Sequence, residues 1–255
     1  MMKPRLAVKT KRGAPRAART LLPAPGACAV ALAVSFGVAL GTVALPGGVR
    51  DAHAATVPAA PATQPTTAKP VIAVLGDSLS AEYGLPRDTG WVALLRQRIA
   101  TERIDYSVAN ASISGDTTSG GLARLPLVLQ RMKPAIVVIE LGANDALRGV
   151  PLATTESNLR AIIAAVRKAN AKPVLVGMFV PPNYGPDYTQ KFHGLYGQLS
   201  KELKVPLVPF LLAGLADKPE LFQSDQLHPT QQAQPLLLDN VWPTLKPLLG
   251  GGAQR

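Results

Sequence analysis

The chain has 255 residues, 47% apolar and 17% charged, which suffices for one large domain with extensions and excludes wholesale disorder. Its 22 glycines and 24 prolines follow no G-x-y period, so collagen is excluded. The net charge of +11 suggests nucleic acid until it is located: eight of the 27 basic residues but only one of the 16 acidic ones precede Ala55. The basicity belongs mostly to the N-terminus, so no nucleic-acid partner is expected.

Residues 1–19 are basic without an acid, Leu21–Val49 carries no charge, and an apolar run spans Cys28–Leu45. Ala52-His53-Ala54 then supplies a small-x-small cleavage site. This order reads as a secretory signal peptide over 1–54, cleaved after Ala54, with an uncleaved signal anchor as the alternative. It predicts a periplasmic or secreted protein without a stable membrane anchor. Cys28, the only cysteine, opens the apolar run rather than following it, which argues against a lipid anchor. Thr56–Pro70 holds four Pro, four Ala and four Thr and reads as part of a semi-extended linker over 55–70.

The folded domain is expected over 71–250, followed by a short tail, 251–255. Val71–Leu75 is a short apolar run ending at Gly76, the pattern of a buried parallel strand. A helix is expected over Trp91–Ile99, a strand over Tyr106–Val108 and a helix over Leu122–Met132. Strand Ala135–Ile139, helix Asn158–Ala169, strand Pro173–Met178 and helix Tyr188–Leu203 follow. A short strand, Val205–Val208, and a helix, Gln232–Leu249, complete the order. Strands alternating with helices of this length give an α/β fold with a mostly parallel sheet. Ligands bind such folds at the carboxyl ends of the strands. The polar segments Gly76–Ser80, Asn110–Asp116 and Glu140–Asp145 each follow a strand, and Asp225–Pro229 precedes the last helix.

A serine hydroxyl needs a nearby base and a group that orients that base. The chain past the signal offers two histidines. His193, inside a helix among Gln190, Lys191 and Tyr196, reads as a surface residue. His228 follows Asp225 by three, a spacing that lets the carboxylate accept from Nδ1–H while Nε2 faces a hydroxyl. Ser78 sits at a strand-to-helix turn with backbone N–H groups nearby. The Ser78 N–H, the Gly115 N–H and the Asn144 amide could together aim three donors at an oxyanion. Taken singly, each of these is more often a plain loop residue.

The stretches GDSLSAEYGL (76–85), NASISGDTTSGGLARLP (110–126), ELGANDALRG (140–149), PPNYGPDY (181–188) and DQLHPTQQAQP (225–235) occur together in this order. In order and spacing the chain resembles the GDSL, or SGNH, hydrolase superfamily. The likeness is to its exported bacterial thioesterase, lysophospholipase and arylesterase branch. The resemblance implies a flavodoxin-like three-layer α/β/α fold with a five-stranded parallel sheet. It implies Ser78 as nucleophile, His228 as base then acid, Asp225 as its orienter, and Ser78, Gly115 and Asn144 as oxyanion donors. It implies no metal and no cofactor, and a small-molecule acyl ester or thioester as substrate. Leu79, Glu82 and Asp145 are candidate substrate contacts, and a monomer is expected. Glu82 departs from the glycine more usual in this branch. Facing solvent it would be inert; facing the cleft it would repel anionic substrates such as acyl-CoA. Few aromatics and a loop-built site suggest a shallow, adaptable pocket. The alternatives are a carbohydrate acetylesterase of the same superfamily and a non-catalytic flavodoxin-like binding module.

Overall fold

The computed structural model describes residues 68–180, 184–215 and 217–251. The expected signal peptide and most of the linker lie outside them. Five strands form one parallel sheet: β1 Val71–Gly76, β2 Ser107–Asn110, β3 Ile136–Glu140, β4 Lys172–Val176 and β5 Leu207–Val208. Their order in the sheet is β2-β1-β3-β4-β5. That is the flavodoxin-like order, with its reversal between β1 and β3. Every residue of β3 is buried, as is all of β1 after Val71. A central strand covered on both faces reads as a near-continuous apolar run, which is why these two are the plainest strands in the sequence.

Among the described residues six α-helices join and cover the strands: α1 Trp91–Thr101, α2 Thr118–Met132, α3 Ala143–Leu147, α4 Leu152–Lys168, α5 Pro186–Leu203 and α6 Gln234–Leu245. Helices α1 and α6 pack on each other, and α4 packs on both α2 and α5, giving the three-layer α/β/α arrangement. Helix α2 starts four residues before the apolar pattern does, because the Thr117 side chain accepts the Gly120 N–H and caps it. Strand β4 ends two residues before the apolar run does. Gly177 lies so close to the next strand that an added Cβ would sit 2.2 Å from the Pro209 carbonyl oxygen. Helix α3 was not expected; five residues are too few to show a period.

Beneath the turn after β1 lies a buried polar network. Glu140, the last residue of β3, is fully buried. Its Oε2 accepts the Asp77 N–H at 3.2 Å and the Ser80 hydroxyl at 2.7 Å. Trp91 Nε1–H donates to the same hydroxyl oxygen at 3.2 Å, tying α1 to the turn. Gly76 is required here, since an added Cβ would fall 2.7 Å from Glu140 Oε2. Asp77 is buried as well, and its Oδ1 accepts the Leu79 N–H at 3.1 Å while Oδ2 accepts from Asn144 Nδ2 at 2.9 Å. Burial pushes the Asp77 carboxyl from 3.8 up to about 6, against the lowering effect of these two donors and of the His228 charge. Burial, and then the Asp77 charge, push Glu140 well up, so both favour its protonated form.

The folded state therefore binds a proton at Asp77 more tightly than the unfolded chain does. Stability from this group is greatest at low pH and declines as pH rises from about 4 to about 6. The melting temperature of the native chain minus that of Asp77→Asn should increase as pH is lowered from 7 to 5. A difference that shrinks over the same span contradicts the burial account.

Candidate active site

The polar segments converge at the carboxyl edge of the sheet. Ser78 occupies the turn after β1. Gly115 lies in the loop after β2, held by Arg124, which pairs with Asp116 at 2.7 Å and donates to the carbonyls of Ala111 and Gly76. Asn144 lies at the start of α3, just past Gly142, whose φ of +122° suits glycine. An added Cβ at Gly142 would also meet the Tyr196 hydroxyl at 2.2 Å.

Asp225 and His228 sit in a narrow loop closed like a hairpin. Gln223 N–H donates to the His228 carbonyl and Thr230 N–H to the Leu221 carbonyl, each at 2.7 Å. Within the loop Asp225 Oδ1 accepts the N–H groups of Leu227 and His228, both at 3.0 Å. The D-x-x-H spacing is thus a turn that its own aspartate stabilises.

Asp225 Oδ2 lies 2.6 Å from His228 Nδ1, and His228 Nε2 lies 2.9 Å from Ser78 Oγ. A carboxylate only accepts, so Nδ1 carries the proton and Nε2 is left to accept from the serine hydroxyl. Burial alone would raise the Asp225 carboxyl. The N–H groups of His228 and Leu227 and the His228 ring outweigh that and hold it down at about 2. It is therefore ionised throughout the neutral range. The Tyr83 ring covers the imidazole, with centroids 4.5 Å apart.

Ser78, Gly115 and Asn144 line one cavity of about 730 Å³ together with His228. Among the described residues neither the Ser78 N–H nor the Gly115 N–H donates to a protein group. Gly115 has φ +77°, and its carbonyl accepts from Arg148 at 2.7 Å, which fixes the orientation of the loop. One N–H of the Asn144 amide goes to Asp77, which aims the amide and leaves its second N–H free. The arrangement can deprotonate a hydroxyl and present three donors to an oxygen that gains charge.

Asp77, Ser114 and Gln226 add further polar groups to the lining, but most of the wall is apolar, with Leu79, Leu147, Met178, Val180 and Leu212 and three of the five phenylalanines, Phe179, Phe210 and Phe222. The low overall aromatic content thus conceals a concentration of aromatic rings at this one site. Leu79 lines the cavity as expected.

Glu82 and Asp145 do not line it. Glu82 Oε1 accepts the Gly90 N–H at 2.8 Å and Oε2 the Asp88 N–H at 3.0 Å, so its carboxylate secures the loop that leads into α1. It is neither a free solvent group nor a charge in the cleft. Asp145 is buried and accepts from the Thr118 N–H at 2.8 Å, from the Thr118 hydroxyl, and from Thr155 Oγ1 at 3.3 Å. It pins α3 to α2 and α4. His193 is half-buried rather than a surface residue, and its ring stacks on Phe179 with centroids 3.6 Å apart. Glu140 stood in a quoted stretch without a role. No sequence signal distinguishes it, because a glutamate ending an apolar strand looks like a strand-end charge. Among the described residues no cluster of three His, Cys, Asp or Glu side chains could hold a metal ion.

The chain matches the model of the GDSL-like Lipase/Acylhydrolase family over residues 74–235. It is 52% identical over 187 residues to Esterase TesA of Pseudomonas aeruginosa, covering 73% of this chain and 92% of that protein. It is 44% identical over 176 residues to Thioesterase 1/protease 1/lysophospholipase L1 of Escherichia coli K12, covering 69% and 83%. The psychrotrophic esterase EstA from Pseudoalteromonas sp., whose structure was solved inhibited by monoethylphosphonate, superposes with a TM-score of 0.68 at 42% identity, covering 71% of this chain and 99% of that one. With this match to the family model and these identities, the chain belongs to the GDSL-like lipase/acylhydrolase (SGNH hydrolase) family and is a carboxylic ester hydrolase.

Proposed function

We propose that the protein is an exported esterase that cleaves acyl esters through Ser78, His228 and Asp225 and a covalent acyl-enzyme. The observation that carries this reading is the unbroken chain of contacts from Asp225 Oδ2 through His228 to Ser78 Oγ at the floor of an apolar cavity. His228 Nε2 takes the hydroxyl proton as Ser78 Oγ attacks the acyl carbonyl. The carbonyl oxygen gains negative charge, which the Ser78 and Gly115 N–H groups and the Asn144 amide stabilise. His228 then gives its proton to the departing alcohol or thiol. Water, deprotonated by the same nitrogen, attacks the acyl-serine and releases the acid.

The apolar walls favour a fatty-acyl or aryl ester over an acetylated sugar, which would call for polar partners in the cleft. Glu82 does not line the cavity, and its carboxylate is turned to the Asp88 and Gly90 N–H groups, so its repulsion does not count against acyl thioesters. Inhibition of a relative by a phosphonate fits an activated serine.

His228→Ala should lower kcat by at least about 10³-fold, since the hydroxyl loses its base. Asp225→Ala should be milder because it acts through His228. Asn144→Ala should fold and lose about 10²–10³-fold in kcat, the scale of one oxyanion donor. Steady-state kinetics on p-nitrophenyl butanoate decides these. An Asn144→Ala effect confined to KM assigns the amide to ground-state binding instead.

The export part of the proposal rests on the basic, apolar and Ala52-His53-Ala54 sequence order. N-terminal sequencing of the full chain produced in a bacterial host should give a start near Ala55. An intact Met1 in the membrane fraction contradicts it.

A further inference from the structure

Past β4 the chain runs along the rim of the catalytic cavity as Met178, Phe179 and Val180. Phe179 is 40% exposed, yet aromatic neighbours contact its ring in two different geometries. The His193 ring, on α5, lies nearly parallel to it at 14° with centroids 3.6 Å apart. The Phe210 ring meets it edge-on at 81° and 4.8 Å. His193 Nδ1 also lies 3.3 Å from the Met178 carbonyl oxygen. A carbonyl only accepts, so this contact calls for the Nδ1–H tautomer. One imidazole thus contacts both the backbone and the side chain of the segment that walls the cavity.

A second cavity, of about 350 Å³, is lined by Phe179, Pro186, Thr189, Gln190 and His193. Among the described residues Phe179 alone is common to the linings of both cavities. Of the five described lining residues three offer rings, the Thr189 hydroxyl is already engaged, donating to the Gly185 carbonyl at 2.8 Å, and Gln190 is exposed. A hydrocarbon tail suits such walls better than a charged or sugar group. The partition itself is held by ring contacts, which are weak enough for a bound chain to displace.

On the acyl-ester reading given above, we propose that the cavity behind Phe179 is a subsite for the distal end of a long acyl chain. His193 is the positioning residue that keeps Phe179 across its entrance. Short chains fit in front of Phe179. Longer chains must push its ring off the imidazole, so the stack lowers the enzyme's preference for them.

The test is a series of p-nitrophenyl esters from butanoate to hexadecanoate on the native chain, His193→Ala, His193→Phe and Phe179→Leu. In His193→Ala the ratio of kcat/KM for dodecanoate to that for butanoate should rise roughly tenfold, mainly through KM, the scale of a few newly buried methylenes. His193→Phe keeps a ring without a donor and should stay near the native ratio. Phe179→Leu should raise the ratio too, and it tests the subsite even if His193→Ala fails to fold. An unchanged ratio in His193→Ala or Phe179→Leu overturns the proposal, as does a His193→Phe ratio that matches His193→Ala. Fluorophosphonate labelling of the native chain separates the two levels. Labelling at Ser78 with unchanged ratios defeats the subsite alone, whereas a native chain neither labelled nor active on butanoate defeats the catalytic reading and the subsite with it.

Discussion

Glu140 closes the central strand with a buried carboxyl, and the turn that carries Ser78 depends on it. Its Oε2 takes the Asp77 N–H and the Ser80 hydroxyl, on either side of Ser78. These are polar groups that would otherwise be buried without partners, and leaving them so would destabilise the turn. Asp77, held there, accepts the Leu79 N–H and one Asn144 N–H, which aligns α3 with the turn. A third carboxylate, Asp145, performs the matching task for α3 by binding Thr118 and Thr155. Three buried acids therefore set the positions of a serine and an amide that follow different strands. The same burial that raises the Asp77 and Glu140 carboxyls is the cost of a rigid site.

The sheet was legible because its central strands are apolar on both faces. Val71–Leu75 and Ala135–Ile139 differ by a residue at most from the strands that form. Helix starts were less legible. Thr117 caps α2 before any apolar residue appears, and α4 begins at Leu152, six residues before the amphipathic stretch that betrays it. The site's polar residues stood out because glycine, serine, asparagine and aspartate clustered after strands. Residues that act through a neighbour did not stand out. Glu82, Asp145, Glu140 and His193 are each defined by a partner distant in the sequence or across a loop. Such partners leave no period and no spacing in the sequence. His193 shows this most plainly: among polar helical neighbours it looks like a solvent-facing residue, and its stacking partner Phe179 is fourteen positions away on another element.

The family match and the apolar cavity bear on different questions. The match assigns the chain to the ester hydrolases. The cavity's walls speak to what the acyl group looks like, since aromatic and aliphatic side chains from the loops after β1, β4 and β5 and from α3 close around the space in front of Ser78. These walls are separate from the buried carboxyls and the Asp225 turn that fix the reacting groups. Substrate range can therefore change at Phe179 or Leu147 without moving Ser78, Asn144 or His228.

The central claim is that Ser78 Oγ forms a covalent acyl-enzyme. Acid quenching of the protein in the first turnovers of p-nitrophenyl butanoate, followed by digestion and mass spectrometry, tests it directly. The account predicts a butanoyl group on the peptide that contains Ser78, and none when His228 is replaced by alanine. Turnover without an acyl group on Ser78, or with the acyl group on another residue, would contradict it.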